Sequence, residues 1–214
     1  MIKQQVSGTV YGVILNDAAS VQKIGSLAEA PYKGAPKAPA LYIKPANTRA
    51  ACGAAVNLPG DAKTVEVAAT IGLVMGRAAG RLTAENALDA VAGIVLAADL
   101  SLPHASYYRP AIREKCFDGS LPLSSVKPLV DLDQLVLNTE IDGKVVESRS
   151  LAGLIRQPAQ LLADVTEFMS LRQGDVLLVG VSYQAPQAAA GSKITLSADG
   201  VGSLSFTIAE GVAA

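Results

Sequence analysis

Residues 65–76 read VEVAATIGLVMG, and apart from Glu66 and Thr70 all of their side chains are apolar or absent. Such a segment is typical of a strand that is buried on both faces of a sheet. A second apolar run, residues 90–98, lies between Asp89 and Asp99, and its residues 94–98 predict another strand. These two segments place buried strands in the middle of the chain.

Shorter strands are predicted on both sides of this centre, from β-branched or alternating segments that end in turn residues. Asp142-Gly143 predicts a hairpin turn after a strand at residues 135–141, and Asp199-Gly200 predicts a turn between the last two strands. The remaining predicted strands are residues 6–15, 40–44, 176–181, 193–196 and 204–208.

Three helices are predicted from their capping residues and apolar spacing. Residues 18–27 follow the pair Asn16-Asp17, and Thr83 is a good N-cap for a helix in residues 84–93. Pro158 suits the first position of the third helix. One face of that helix carries Leu161, Leu162, Val165, Phe168 and Met169.

The predicted strands outnumber the helices and do not alternate regularly with them. This pattern favours an α+β fold, with a mixed, rolled β-sheet and flanking helices, over a doubly wound parallel sheet. The chain has 214 residues and no internal repeat, charged tail or flexible linker. We therefore expect a single domain over residues 1–214.

The composition excludes several classes of function. The net charge is −1 and no basic stripe with interleaved aromatic residues is present, so we expect no nucleic-acid partner. The apolar run at residues 90–98 is far too short to cross a bilayer, so we expect no membrane partner. Cys52 and Cys116 predict two buried or semi-buried, reduced thiols in the cytoplasm. One His and two distant Cys do not supply the usual ligands of a zinc site.

A polar segment follows the second apolar run and contains the only His of the chain. It spans residues 98–119 and reads ADLSLPHASYYRPAIREKCFDG. A strand that delivers a polar, proline-punctuated segment to its end is a common way to build a small-molecule site. The alternative is a solvated loop. The candidate site residues of this segment are Asp99, His104, Tyr107, Tyr108, Arg109, Arg113, Lys115 and Asp118.

Several segments together carry a family resemblance. The most specific are PYKGAPKAPALYIKPANT at residues 31–48 and YRPAIREKCFDG at residues 108–119, and MGRAA at residues 75–79 and LRQGDVLLVG at residues 171–180 add to them. In order and spacing they resemble the fumarylacetoacetate hydrolase family, most closely the amino-terminal half of its bifunctional isomerase/decarboxylases of 4-hydroxyphenylacetate (homoprotocatechuate) degradation. The resemblance implies a β-rich roll, two such units that pair, and α-keto or enol diacid substrates.

The resemblance also implies a divalent metal, Mg²⁺ or Mn²⁺, held by a Glu-x-Glu pair on one strand and an Asp on the next. Hard cations prefer several carboxylate oxygens, and an α-keto acid can chelate at the remaining positions. Aligned on MGRAA, the two glutamate positions hold Ala68 and Thr70, so Asp99 is the remnant of the metal site. Glu66 lies two residues too early, and only a register slip would let it serve. We therefore expect no metal, or a weakly bound one, in this chain.

Other positions depart from the family pattern or keep it. The family's Asp and His after the first Asn become Ala19 and Ser20, which removes an implied acid/base. Lys115 matches a family lysine near the substrate or metal, and it is predicted to be catalytic or else to pair with Asp99 or Asp118. The predicted substrate-binding residues are Tyr108, Arg109 and Asp118, because Arg109 in particular can grip a carboxylate with a bidentate fork.

His104 is the second predicted catalytic residue. Histidine as a residue type is the side chain whose unperturbed pKa lies near neutrality, which suits a general base. A surface or interface histidine is the alternative, since the resemblance gives it no counterpart.

Two functions from different classes follow. In the first, the chain is a working subunit of the isomerase/decarboxylase, which acts on 2-hydroxyhepta-2,4-diene-1,7-dioate and 5-oxopent-3-ene-1,2,5-tricarboxylate. In the second, it is a non-catalytic scaffold that pairs with a metal-bearing sister chain. The predicted assembly is a homodimer or a heterodimer with that sister. A metal-free tautomerase that uses Lys115 and His104 is a third interpretation.

Overall fold

A computed structural model of the protein describes residues 6–60, 62–104 and 111–209. In these ranges the chain forms two β-sheets with three α-helices beside them. Tyr107, Tyr108 and Arg109, three of the predicted site residues, lie outside the described ranges.

The larger sheet has eight strands, and its centre is the antiparallel pair β5 and β6 described below. Its members are β1 (Val10–Ile14), β2 (Ala40–Lys44), β3 (Arg49–Ala51), β5 (Thr64–Met75), β6 (Val91–Ser101), β7 (Leu121–Leu123), β10 (Val176–Leu178) and β11 (Gln187–Ala189). The strand order is β2-β1-β10-β5-β6-β7-β3, with β11 paired to β5. β5 is buried along nearly its whole length, which confirms the prediction from its apolar sequence.

The smaller sheet has five strands in the order β4-β13-β12-β8-β9. Its hairpin turn at Asp142-Gly143 has positive φ at both residues, +52° and +78°, as a two-residue hairpin requires. This turn and the strand that precedes it are confirmed predictions. The members are β4 (Ala55–Val56), β8 (Val136–Ile141), β9 (Lys144–Ser150), β12 (Lys193–Ala198) and β13 (Gly202–Ile208).

The helices are α1 (Ala18–Ile24), α2 (Ile112–Lys115) and α3 (Pro158–Phe168). Asp17 caps α1 by accepting a hydrogen bond from the amide of Ser20, so the predicted helix and cap are confirmed. α1 ends three residues before the predicted limit, since Gly25 adopts a φ of +86°.

Two helix predictions are wrong in part. No α-helix forms in residues 84–93: the Thr83 amide donates a hydrogen bond to the Asn86 side chain, and only the 3-10 turn Ala87–Ala90 follows before β6 begins. In α3, Leu161, Leu162 and Val165 are buried as predicted, but Phe168 is 64% exposed at the end of the helix.

Two strands are shorter than predicted. β1 covers only Val10–Ile14 of the predicted residues 6–15. β10 stops at Leu178, although the apolar run continues to Val181. Gly180 adopts a φ of +146°, and its carbonyl accepts hydrogen bonds from the Thr70 and Arg149 side chains instead of from a strand. The chain therefore leaves the sheet at this point.

The strands combine parallel and antiparallel pairing, and one apolar core joins the two sheets with α3. The predicted α+β fold, a β-rich mixed-sheet roll with few helices, is therefore confirmed. Among the described residues, no helix is long and apolar enough to cross a membrane. Both cysteines are free thiols. Cys116 is partly buried as expected, but Cys52 is exposed, so the expected burial is wrong for that residue.

Candidate functional site

A buried carboxylate with two lysines forms the centre of the candidate site. Asp99 lies near the end of β6 and is completely buried. Nζ of Lys115, at the end of α2, lies 2.8 Å from Asp99 Oδ2, and Nζ of Lys44, at the end of β2, lies 2.8 Å from Oδ1. Each carboxylate oxygen therefore has an ammonium partner. We call Tyr42, Lys44, Asp99 and Lys115 the Asp99 cluster.

Lys44 is the more enclosed of the two lysines. Its side chain is 0% exposed, compared with 7% for Lys115. Besides Asp99, its Nζ lies 3.2 Å from the carbonyl oxygen of Leu100 and 3.2 Å from Ser120 Oγ, and it also donates to the carbonyl of Lys115. Four oxygens from a carboxylate, two carbonyls and a hydroxyl thus surround this ammonium.

Tyr42 completes the cluster from the same strand as Lys44. Residues two apart on a strand project from the same face, so the pair enters the site together. The Tyr42 hydroxyl donates a hydrogen bond to Asp99 Oδ2, and Lys115 Nζ lies 4.9 Å from the centre of the Tyr42 ring. Gly12 is the cross-strand partner of Tyr42, and a Cβ at Gly12 would overlap the ring. The glycine therefore leaves room for the ring to reach the site.

Burial and charge act in opposite directions on these groups. Burial alone would raise the pKa of Asp99, but Lys115 and Lys44 hold that pKa well below its ordinary value. For Lys44, burial lowers the pKa to about 8 even though Asp99 opposes the shift. Asp99 is consequently an anion throughout the physiological range.

The first missing glutamate position is closed to a metal. Ala68 is the direct cross-strand partner of Asp99 in the β5/β6 ladder. Its methyl group packs with Val181 and Ala185 in a small apolar cluster, against which Ile14 also packs. The space beside Asp99 at this position therefore holds hydrocarbon.

The second missing position is committed to a structural hydrogen bond. Thr70 is fully buried and its hydroxyl donates to the carbonyl of Gly180 at 2.6 Å. Arg149 donates to the same carbonyl at 3.2 Å and to that of Ala69 at 2.7 Å, and it pairs with Asp17 at 3.4 Å. These contacts fix the chain as it leaves β10.

The residues present do not fit a divalent cation at Asp99. Mg²⁺ and Mn²⁺ need several oxygen ligands with negative charge, whereas this carboxylate faces two ammonium groups and a methyl group. In the part of the chain that the structure describes, no three His, Cys, Asp or Glu side chains are grouped to hold a metal.

An open cavity of about 480 Å³ lies beside the end of β6. Glu66 enters it from β5, where it is paired with Ser101 and not with Asp99, so the register slip considered from the sequence is wrong. Burial raises the pKa of Glu66, and the nearby Lys115 opposes that shift. The cavity is lined by Glu66, Pro103, His104, Gln184, Ala185 and Gln187.

His104 also lines this cavity. Its Nδ1 lies 3.0 Å from the carbonyl of Leu102 and 3.3 Å from Ser101 Oγ. Of the two predicted catalytic residues, Lys115 lies on Asp99 and His104 lies in the cavity with Glu66.

Asp118 lies at the surface, away from the cluster's hydrogen bonds. Its Oδ1 accepts a hydrogen bond of 2.7 Å from the Asn47 side chain, which ties two loops together.

Lys44 and Tyr42 were missed as site residues. The signal that was available is a lysine and a tyrosine two apart on a short strand, ahead of Pro45.

Comparison with known proteins gives one family. A family model described as Fumarylacetoacetate (FAA) hydrolase C-terminal matches residues 9–209. The chain is 35% identical over 196 residues to the 4-hydroxyphenylacetate degradation bifunctional isomerase/decarboxylase of Escherichia coli, covering 91% of this chain and 46% of that protein. The chain thus spans about half the length of the curated relatives it matches, and its assignment to their amino-terminal half is not confirmed.

Solved structures agree on the fold. The 5-carboxymethyl-2-hydroxymuconate delta-isomerase of Mycobacterium smegmatis superposes with a TM-score of 0.82 at 23% identity, over 97% of this chain and 81% of its own. The fumarylpyruvate hydrolase of Pseudomonas aeruginosa, solved with Mn²⁺ and pyruvate, superposes with a TM-score of 0.79 at 21% identity, over 94% of this chain and 89% of its own. With the family model matching nearly the whole length and the same roll in these structures, the chain belongs to the fumarylacetoacetate hydrolase family.

Proposed function

We propose that this chain is a subunit, or one half, of the isomerase/decarboxylase of 4-hydroxyphenylacetate degradation, and that its metal site is degenerate. The pathway assignment is supported by the 35% identity to the Escherichia coli enzyme. One observation supports the degenerate metal site: the cross-strand partner of Asp99 is Ala68, and its two carboxylate oxygens are paired with Lys44 and Lys115.

The proposed substrates are enol or keto diacids, namely 2-hydroxyhepta-2,4-diene-1,7-dioate and 5-oxopent-3-ene-1,2,5-tricarboxylate. Lys115 would bind a substrate carboxylate, because it is the partly accessible ammonium of the Asp99 cluster and Asp99 and Tyr42 orient it. Arg109, Tyr108 and Asp118 stay predicted substrate-binding residues.

Isomerisation of such a diacid moves one proton from carbon or oxygen to another carbon. His104 is the proposed group that takes and returns it, since it lines the cavity and its Nδ1 is held by the Leu102 carbonyl and the Ser101 hydroxyl. Glu66 in the same cavity is a second titratable group beside that position.

A metal-bearing sister chain is the proposed partner, and pairing would be either with that chain or with a second copy. Residues 1–214 are proposed to form one domain, which the apolar core that joins the two sheets supports, and the proposed location is the cytoplasm. The alternative function is a non-catalytic scaffold for the sister chain. The enclosure of Lys44 and the occupation of both Asp99 oxygens favour this alternative.

The test is turnover of an enol diacid with Mg²⁺, measured on this chain alone and on its complex with a homologous chain that keeps the Glu-x-Glu pair. We expect little metal-dependent turnover alone and full turnover in the complex. Robust metal-dependent turnover of the isolated chain would contradict the degenerate site. If Lys115→Met, but not the matched surface change Lys144→Met, lowers turnover of the complex, this chain takes part in the reaction. Equal turnover of both variants favours the scaffold.

A further inference from the structure

The surroundings of Lys44 Nζ have the composition of a hard-cation site. Its neighbours are one oxygen of Asp99, the carbonyls of Leu100 and Lys115, and the hydroxyl of Ser120. Carboxylate, backbone carbonyl and hydroxyl oxygens are the ligand types that hold Mg²⁺ or Ca²⁺ in proteins. An ammonium group is a compact point charge that can occupy the same kind of oxygen shell.

The chain holds this ammonium firmly in place. Lys44 is a member of β2, where it is the cross-strand partner of Val10 in β1. The next residue, Pro45, ends the strand, so the lysine is anchored at a fixed distance from the site. A side chain that is 0% exposed has no solvated position to which an incoming ion could displace it.

Lys115 strengthens this exclusion. Its Nζ lies 2.8 Å from the second oxygen of Asp99, so an approaching divalent ion would meet two positive charges around a single carboxylate. Repulsion between like charges is strong in a poorly solvated interior. The Ala68 methyl group on the opposite strand supplies no compensating charge.

We propose that the Lys44 ammonium is a resident cation that occupies the oxygen shell at Asp99, so that this chain binds no divalent metal there. The site then recognises a carboxylate ligand through the Lys115 ammonium, not through chelation to a metal. The inference rests on the proposed function in one respect: both take the Asp99 cluster as the binding site of the family's diacid ligand.

The first experiment titrates Mn²⁺ into the full chain and measures free Mn²⁺ by electron paramagnetic resonance. The wild-type chain and Asp99→Asn should bind equally little Mn²⁺. Binding by the wild type that Asp99→Asn abolishes would overturn the proposal. This readout does not depend on turnover. The turnover assay with the sister chain can therefore refute the pathway assignment without refuting the resident cation, and Mn²⁺ binding can refute the resident cation without refuting the pathway assignment.

The second experiment replaces the resident cation from solution. Lys44→Ala removes the ammonium and leaves the oxygen shell. Added methylammonium should raise the melting temperature of this variant by much more than it raises that of the wild type. In Lys44→Ala/Asp99→Asn the rise should be lost, because the shell no longer carries a negative charge. A rise of equal size in both variants would contradict the proposal. Lys44→Ala is also informative if it does not fold by itself. Folding of this variant that requires methylammonium would support the proposal. Failure to fold at every methylammonium concentration would count against it.

A third variant pair separates the cation from the missing carboxylate. Ala68→Glu alone should gain no Mn²⁺ affinity, since the ammonium still occupies the shell. Ala68→Glu/Lys44→Met places a second carboxylate beside Asp99 and removes the ammonium, so it should bind Mn²⁺ at least about tenfold more tightly than the single variant. Equal Mn²⁺ affinity in the two variants would contradict the role of Lys44.

Discussion

Ala68 and Asp99 are direct partners in the β5/β6 ladder, so a methyl group stands opposite the only carboxylate of the cluster. The charge of Asp99 is compensated from other elements, by Lys44 on β2 and Lys115 on α2. A lone buried carboxylate would be strongly unfavourable, and the two lysines are what allow Asp99 to remain ionised in the core.

Lys44→Met should destabilise the protein severely. The change leaves Asp99 with a single ammonium partner and removes three further hydrogen bonds, and breaking a buried ion pair typically costs about 3–5 kcal/mol. Urea unfolding at pH 7 measures the loss. Lys144→Met, at an exposed position on β9, is the control and should change the free energy of unfolding by less than about 0.5 kcal/mol. A similar small effect at both positions would show that the ion pair is unimportant.

Asp99 should contribute to stability above its ordinary pKa of 3.8 and lose that contribution in acid. The folded-state pKa is lowered, so below pH 3.8 the unfolded chain takes up the proton first and stability falls. The difference in unfolding free energy between wild type and Asp99→Asn should therefore be large at pH 7 and shrink as the pH drops below about 4. Asp133→Asn, at an exposed position, is the matched control for the loss of one carboxyl group. A difference that is constant with pH would contradict the charged state of Asp99.

Glu66 should behave with the opposite sign. Burial raises its folded-state pKa, so between the ordinary value of 4.5 and the shifted value the folded chain holds more protons and stability falls as the pH rises. Glu66→Gln removes a charge that is unfavourable when buried, and this variant should gain stability over wild type as the pH increases through that interval. Chemical unfolding at pH 4 and pH 7 tests this, and a larger advantage at pH 4 would refute it.

Gly12→Ala should displace Tyr42 from Asp99. A Cβ at this position would overlap the tyrosine ring, and forcing an extra methyl group into a packed site typically costs about 1–3 kcal/mol. In a Tyr42→Ala background the same change should be nearly neutral, because the ring is absent. An equal loss in both backgrounds would place the strain elsewhere in β1.

The periodic signals in the sequence were enough to predict most of the strands. β2 was predicted at its observed bounds, and the burial of β5 followed from its apolar run. At the end of β10 the error has a visible cause. The side chains of Thr70 and Arg149 take the Gly180 carbonyl, and a propensity argument does not register such long-range contacts.

The site was predictable only where its residues are neighbours in sequence. Asp99 and Lys115 lie 16 residues apart and were both singled out, with pairing between them as one stated alternative. Lys44 lies 56 residues from Leu100, whose carbonyl it contacts, and no local pattern places a lysine from the edge strand β2 in a site on β6, four places away in the strand order. Its location depends on the sheet curling back upon itself.

The enclosure of Lys44 has a consequence for substitutions at this site. A glutamate placed at position 68 alone would be buried against Val181, Ala185 and Ile14 beside an occupied cation shell, and loss of Lys44 alone would leave Asp99 short of a counter-charge. Each single change is therefore expected to be harmful. Because both positions face the same carboxylate, the effects of changing them should be strongly non-additive, a case of epistasis between residues on different strands.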